Sequence, residues 1–302
     1  MVRTIIVPLD GSVVAEQALP IAIELARAAG ARLVLIRVHQ PPVLALSRSY
    51  EWDSEIRQRE SSYLHKVATR AADSIEAVPD AQVLEGNVPD AIHAAAQEHE
   101  APLIVMTSHG LTGFSRYWIG SVADGVIRQA STPVLMLRAR GLDETPPSAA
   151  IHRILVPLDG STFAEAILPH ALAIAKAVGA TLELFRVVEP ARMSDIPWVA
   201  EMHESDDEKL REAESELRAT VDRLGAEASG CRINVRVTLA NSPASTITTH
   251  ARAHEFELVA MTTTASGLAR FVGSVADKVI RGSTIPVLLT RPGDALRAPT
   301  DG

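Results

Sequence analysis

The segment IIVPLDGSVVAEQALPIAIELARAAGARLVLIRV, beginning at Ile5, returns as ILVPLDGSTFAEAILPHALAIAKAVGATLELFRV from Ile154. The two align without a gap over 34 residues, and 20 positions are identical. The ends repeat as well: GSVADGVIRQASTPVLMLR follows Tyr117–Ile119, and GSVADKVIRGSTIPVLLTR follows Phe271–Val272. A spacing of about 150 residues duplicates a whole domain, whereas solenoid units are far shorter. The 302 residues suit two such domains, each long enough for its own core. Between them ARGLDETPPSAA, Ala139 to Ala150, is rich in proline and small residues and reads as a linker. The expected domains are 1–139 and 151–293.

Within the first copy strand and helix signals alternate. Thr4–Pro8, Arg32–Val38, Ala81–Glu85, Leu103–Thr107 and Pro133–Arg138 read as strands. Ser12–Ala29, Glu51–Glu76, Pro89–His99 and Ser121–Gln129 read as helices, the first closed by Gly30. The strands are continuous apolar runs, which implies burial on both faces. Alternation of this kind makes an α/β fold with a parallel sheet between helix layers. Pro20 and Pro169 fall inside the first helix of each copy, where a kink or break is expected.

Hydrophobic residues make up 47% of the chain and charged residues 22%, as in ordinary globular proteins. The formal net charge of −8 argues against nucleic acid as the main partner. A single cysteine, Cys231, cannot form an internal disulfide and suits a reducing compartment; it reads as a small strand residue. The opening MVRTIIVPLDGS is too short and too polar for a signal peptide or a membrane span, so a cytoplasmic location is expected.

In open parallel sheets ligands bind at the carboxyl ends of strands, where the strand order reverses. Strand one ends in Pro8-Leu9-Asp10-Gly11-Ser12, and strand four in Met106-Thr107-Ser108-His109-Gly110. If these strands are neighbours, the two loops face each other. The second loop carries Gly110, Gly113 and Gly120, and glycines let backbone N–H groups approach a phosphate closely. Gly120-Ser121 then opens a helix, whose free N–H groups and positive end suit an anion. Ser121 with Asp124, and Ser274 with Asp277, also read as capping boxes. Asp10 alone is equally readable as a turn residue ahead of the first helix.

With these motifs the chain resembles a tandem universal stress protein. ATP-binding members of that family carry Gly-x2-Gly-x9-Gly-Ser/Thr after the fourth strand. Here Thr107-Ser108-His109-Gly110, nine residues and Gly120-Ser121 match that pattern, with Thr107 in place of the first glycine. The resemblance covers nearly the whole chain, twice. It implies two five-stranded parallel sheets of order 3-2-1-4-5, adenine nucleotide alpha-hydrolase-like, and ATP, with or without Mg²⁺, as the ligand. It implies that Pro8 and Asp10 lie by the adenine and that the Val38 backbone meets the base edge. Met106 and Thr107 would lie along the ribose, and Gly110, Gly120, Ser121 and Val122 around the phosphates. His109 and Gly113 belong to the same loop, and Arg116 is a surface cation within reach of a terminal phosphate. The resemblance also suggests that the two halves pair through their last strands, TPVLMLR and IPVLLTR, as a pseudo-dimer, with association of two chains left open.

The second half keeps Pro157, Asp159, Val187, Met261, Thr262, Gly273, Ser274 and Val275, a possible weaker site. It has no counterpart of His109-Gly110, and its loop is two residues shorter. Hydroxyls in TTTAS stand where the first loop has glycines, so the second half is expected to bind nucleotide weakly or not at all. No Gly-x4-Gly-Lys-Ser/Thr is present, and no base is aimed at a water, which argues against fast hydrolysis. Slow hydrolysis or self-phosphorylation stays open, as does an interaction scaffold without nucleotide. His250-x3-His254 reads as a solvated helix face rather than a metal site. The acidic run Glu204–Ala219 reads as an exposed helix face. The dissimilar connections HQPPVLALSRSYEWDSEI and EPARMSDIPWVAEMHESDD are where contacts with an unidentified protein partner, or a lid, are expected.

Overall fold

The computed structural model describes residues 2–40, 50–75, 77–100, 102–108, 120–129, 132–141, 149–190, 206–263 and 274–292. The first half runs β1 (Thr4–Pro8), α1 (Val13–Glu16), α2 (Leu19–Ala29), β2 (Arg32–His39), α3 (Tyr50–Ala72), β3 (Asp80–Glu85), α4 (Val88–Glu98), β4 (Leu103–Thr107), α5 (Ser121–Gln129) and β5 (Val134–Leu137). The second half repeats it as β6 (Arg153–Pro157), α6 (Thr162–Glu165), α7 (Leu168–Val178), β7 (Thr181–Val188), α8 (Asp206–Leu224), β8 (Ile233–Leu239), α9 (Pro243–Ala253), β9 (Leu258–Thr262), α10 (Ser274–Gly282) and β10 (Val287–Thr290).

The expected helix Ser12–Ala29 is two helices. The chain breaks at Gln17-Ala18, so Pro20 falls in the first turn of α2, where a missing N–H leaves no helical bond unmade. Pro169 takes the same place in α7. Gly30 ends α2 at φ +60°, a left-handed cap.

Each half has the strand order 3-2-1-4-5, but the halves do not form separate sheets. Their last strands pair antiparallel, Leu288 opposite Leu135 and Val287 opposite Met136, so the chain holds one ten-stranded sheet. The cause is the apolar edge that each half would otherwise expose: Leu135 and Leu288 are both 0% exposed in the seam. Side chains cross it too. Arg138 donates to the Ser283 carbonyl just beyond α10, and Arg291 donates to the Arg128 carbonyl in the last turn of α5. Each cation meets the negative end of the other half's helix.

Two apolar layers lie on the two faces of the sheet. Ile5 and Val7 of β1 point into the layer under α2 and α3, and Ile6 points into the layer under α4 and α5. The connection from β1 to β2 therefore covers one face, and the connection from β4 to β5 the other. Since β1 and β4 are adjacent, a crevice opens between their carboxyl ends, and likewise between β6 and β9.

Candidate functional site

The floor of the first crevice follows from the register of β1. Pro8 pairs with Ile36, and the Leu9 N–H donates to the Ile36 carbonyl at 2.8 Å, after which β1 turns away. β2 runs on to His39, still paired with β3 on its other side. Backbone groups alternate along a strand, so the N–H and C=O of Val38 point the same way as the Ile36 carbonyl, into the opening. Its side chain packs against the opposite apolar layer. Leu158 and Phe185 make the same bond, at 2.9 Å, in the second half, and Val187 takes the place of Val38.

Asp10 shapes the turn that follows. Its Oδ1 accepts the Ser12 N–H at 2.9 Å and the Ser12 hydroxyl at 2.6 Å. Ser12 Oγ in turn accepts the Ala15 N–H at 3.0 Å and caps α1. Asp159, Ser161 and Ala164 repeat this at 2.9, 2.6 and 3.0 Å. Gly11 between them has φ +84°, and a Cβ there would stand 2.3 Å from Arg37 Nη1. The turn thus packs on a half-buried guanidinium, which Glu60 holds at 3.0 Å.

On the other side of the crevice, Met106 and Thr107 end β4 and are buried. Thr107 pairs with Leu137 in the sheet, and positive φ among described non-glycine residues occurs only at Glu100 and Glu255. The threonine in the first glycine position therefore carries no backbone strain. The Ser108 N–H donates to the Leu137 carbonyl, and the Ser108 carbonyl accepts the Gly120 N–H, both at 2.7 Å. That second bond ties together the two ends of the glycine-rich loop. His109, Gly110, Gly113 and Arg116 lie outside the described residues.

The Gly120 carbonyl accepts the Asp124 N–H at 2.9 Å, so Gly120 is the cap residue and Ser121 the first residue of α5. This corrects the expected capping box. Asp124 instead accepts Arg128 Nε at 2.8 Å, and Asp277 accepts Arg281 Nε at 2.8 Å. The consequence for the site is direct: the N–H groups of Ser121, Val122 and Ala123 have no partner among the described residues. They stand at the positive end of α5, beside the loop closure. The Gly120 N–H itself is engaged by Ser108, so what Gly120 offers a ligand is the absence of a side chain.

In the second crevice Pro157, Met261 and Thr263 are buried and Thr262 is half-buried. The Thr263 N–H donates to the Thr290 carbonyl at 2.9 Å, as Ser108 does to Leu137. Its hydroxyl, on a residue 2% exposed, has no partner among the described residues. Val275 packs against the apolar layer like Val122, and Gly273 lies outside the described residues.

A charged network beside the first crevice was not anticipated. His39, 1% exposed, has Nδ1 2.8 Å from Glu60 Oε2 and Nε2 2.9 Å from Asp53 Oδ1. Asp53 accepts from Arg57 at 2.9 Å, and Arg57 also pairs with Glu85. The Arg57 guanidinium first, and His39 second, hold the Asp53 carboxyl below the usual carboxylate range. Arg57 does the same to Glu85. The network links the end of β2 to α3. In the second half Val188 stands where His39 does, and Arg186 pairs with Glu216 of α8. Of the connections 39–56 and 189–207, expected to carry partner contacts or a lid, residues 41–49 and 191–205 lie outside the described residues.

His250 corrects another expectation. It is not on a solvated face: its Nε2 is 2.6 Å from Glu183 Oε1, and its ring stacks on Phe185. Among the described residues no three His, Cys, Asp or Glu gather to hold a metal ion, and no helix is long and apolar enough to cross a membrane.

The profile of the Universal stress protein family matches residues 1–138 and again 150–291. The chain belongs to that family. A universal stress protein of Thermus aquaticus is 34% identical over 140 residues, which are 46% of this chain and all of the relative. A universal stress protein of Methanocaldococcus jannaschii is 32% identical over 139 residues, 45% of this chain and 82% of the relative. The crystal structure of a universal stress protein from Archaeoglobus fulgidus is similar over both halves, with TM-score 0.70, 21% identity, and coverage of 96% and 98%. That likeness shows the tandem fold. Another solved universal stress protein, in complex with cAMP, is 24% identical over 46% of this chain with TM-score 0.38.

Proposed function

We propose that the first half of this universal stress protein binds ATP in the crevice between β1 and β4, and that occupancy gates a stress response without fast hydrolysis. The observation that carries the reading is the start of α5: three N–H groups without partners among the described residues, beside a loop whose ends Ser108 and Gly120 tie together. Such a helix end suits phosphate groups. The opened backbone of Val38 offers a donor and an acceptor to an adenine edge, and Pro8, Asp10, Met106 and Thr107 line the walls between. His109, Gly110, Gly113 and Arg116 are assigned to the phosphate loop by the family pattern. Mg²⁺ would arrive on the nucleotide.

The second half retains the turn, the open strand end at Val187 and a Thr263 hydroxyl unpartnered among the described residues, so it is assigned a weaker site. ATP acts here as a ligand: it stabilises the state it binds in proportion to its differential affinity, and a partner reads that state. Isothermal titration of the full chain with Mg-ATP tests the reading. One dominant site is expected, lost in Gly120→Val, while a thermal melt reports whether that variant is folded. Two equal sites would remove the asymmetry. No heat with the native chain would remove nucleotide binding.

A further inference from the structure

A buried polar cluster of the second half belongs to neither crevice. Glu183, in the middle of β7, is 5% exposed. Its Oε1 lies 2.6 Å from His250 Nε2 on α9 and 3.4 Å from Arg236 Nε on β8. The aligned residues of the first half are Val34, Ala95 and Gln82. Val34 and Ala95 are both buried, so the same fold packs at this place without any charge. A buried charged group gains little or nothing over a well-packed apolar replacement, and stability does not account for the cluster.

What lies above it does. A cleft of about 430 Å³ opens beside α9, over β7 and β8, a volume in the range of small-molecule sites. Phe185 and His250 stack with centroids 4.3 Å apart and planes 7° apart, making a flat apolar patch in its wall. His254, 4.4 Å from His250, and the half-exposed Arg236 line it with Thr246 and Thr249. Among the described residues no Asp or Glu lines it, in a chain of net charge −8.

We infer that this cleft binds a small organic anion, a carboxylate or phosphate ester carried on a planar ring. Arg236 presents a fork of donors to the anionic group, and the ring packs against Phe185 and His250. His254 and the Thr249 hydroxyl complete the polar side. Glu183 is a positioning residue, since it holds both the imidazole and the guanidinium from beneath. Burial pushes the His250 ring below its ordinary value, with Glu183 pulling the other way, so at neutral pH the neutral ring donates its Nε2–H to Glu183. The site is independent of the nucleotide crevice.

The test is NMR of the His250 and His254 ring signals in the full chain without nucleotide, titrated with benzoate, phenyl phosphate and benzyl alcohol. Saturating shifts are expected for at least one anion, with Kd of about 1 mM and binding about tenfold weaker in Arg236→Ala. Whichever anion binds tighter identifies the head group. The same shifts are expected in Gly120→Val, which separates this site from the ATP reading. Absence of saturation with both anions would overturn the proposal. So would an equal response to benzyl alcohol, or unchanged affinity in Arg236→Ala, whose half-exposed side chain can be removed without opening the core.

Discussion

Exchanging Glu183 and His250 for their first-half counterparts, Val and Ala, measures what the buried cluster contributes. His250→Ala removes the donor 2.6 Å from a carboxylate on a residue 5% exposed, leaving Arg236 at 3.4 Å. A hydrogen bond to a charged group is worth about 1.5–3 kcal/mol, and the vacated ring space beside Phe185 adds a packing loss. The expected cost is about 3 kcal/mol, a fall in Tm of roughly 6–12 °C at 2–4 °C per kcal/mol. Glu183→Val leaves a neutral imidazole with one unpaired N–H, a cost of about 1–2 kcal/mol. The double variant has neither orphan but keeps the packing loss beside Phe185, so it should cost about 1–2 kcal/mol, well under the sum of the single losses. The coupling is then about 3 kcal/mol, far above the few tenths found between independent sites. Urea denaturation and thermal melts of the four proteins give the cycle. If the double variant loses the sum of the two single losses, or if His250→Ala costs under about 1 kcal/mol, the carboxylate does not depend on the imidazole and the reasoning fails.

The same cycle carries a pH dependence. Burial lowers the His250 value in the folded chain, so the unfolded chain takes up the proton first as pH falls through the ordinary histidine range near 6.5; stability is present above it and lost below. His170, lowered by burial as well, acts in the same direction in native and double-variant chains. The native chain should therefore lose more Tm between about pH 7.5 and 5.5 than the double variant, and parallel curves would refute the assignment. Gly11→Ala places a Cβ at φ +84° and 2.3 Å from Arg37 Nη1, so it should cost about 1–2 kcal/mol and weaken ATP binding by titration. Gly160→Ala, at φ +87° and 2.8 Å from Arg186 Nη1, should cost a similar amount in the melt and leave the dominant ATP site intact.

The fold was legible because its signals are local or repeated. The 34-residue duplication, the apolar strand runs and the glycine after α2 each depend on neighbours in sequence, and each is found where the chain implies. The pairing of the two halves through their last strands came from the family resemblance; that it is antiparallel and merges the two expected sheets into one is a fact of three dimensions. The capping box failed for a physical reason: glycine took the cap position, and a salt link four residues on offered Asp124 a better partner. Arg37 and His39 were missed because what defines them, a turn 26 residues away and carboxylates on α3, is brought near only by the sheet. Glu183 was different. A carboxylate inside TLELFRVV, a central strand whose twin reads RLVLIRVH, is a charge that must find a partner or a ligand. Comparing the copies position by position, rather than each against a general pattern, isolates that residue. The histidine at the place of Ala95 then supplies its partner, and the pairing turns an apparently solvated His-x3-His face into the wall of a cleft.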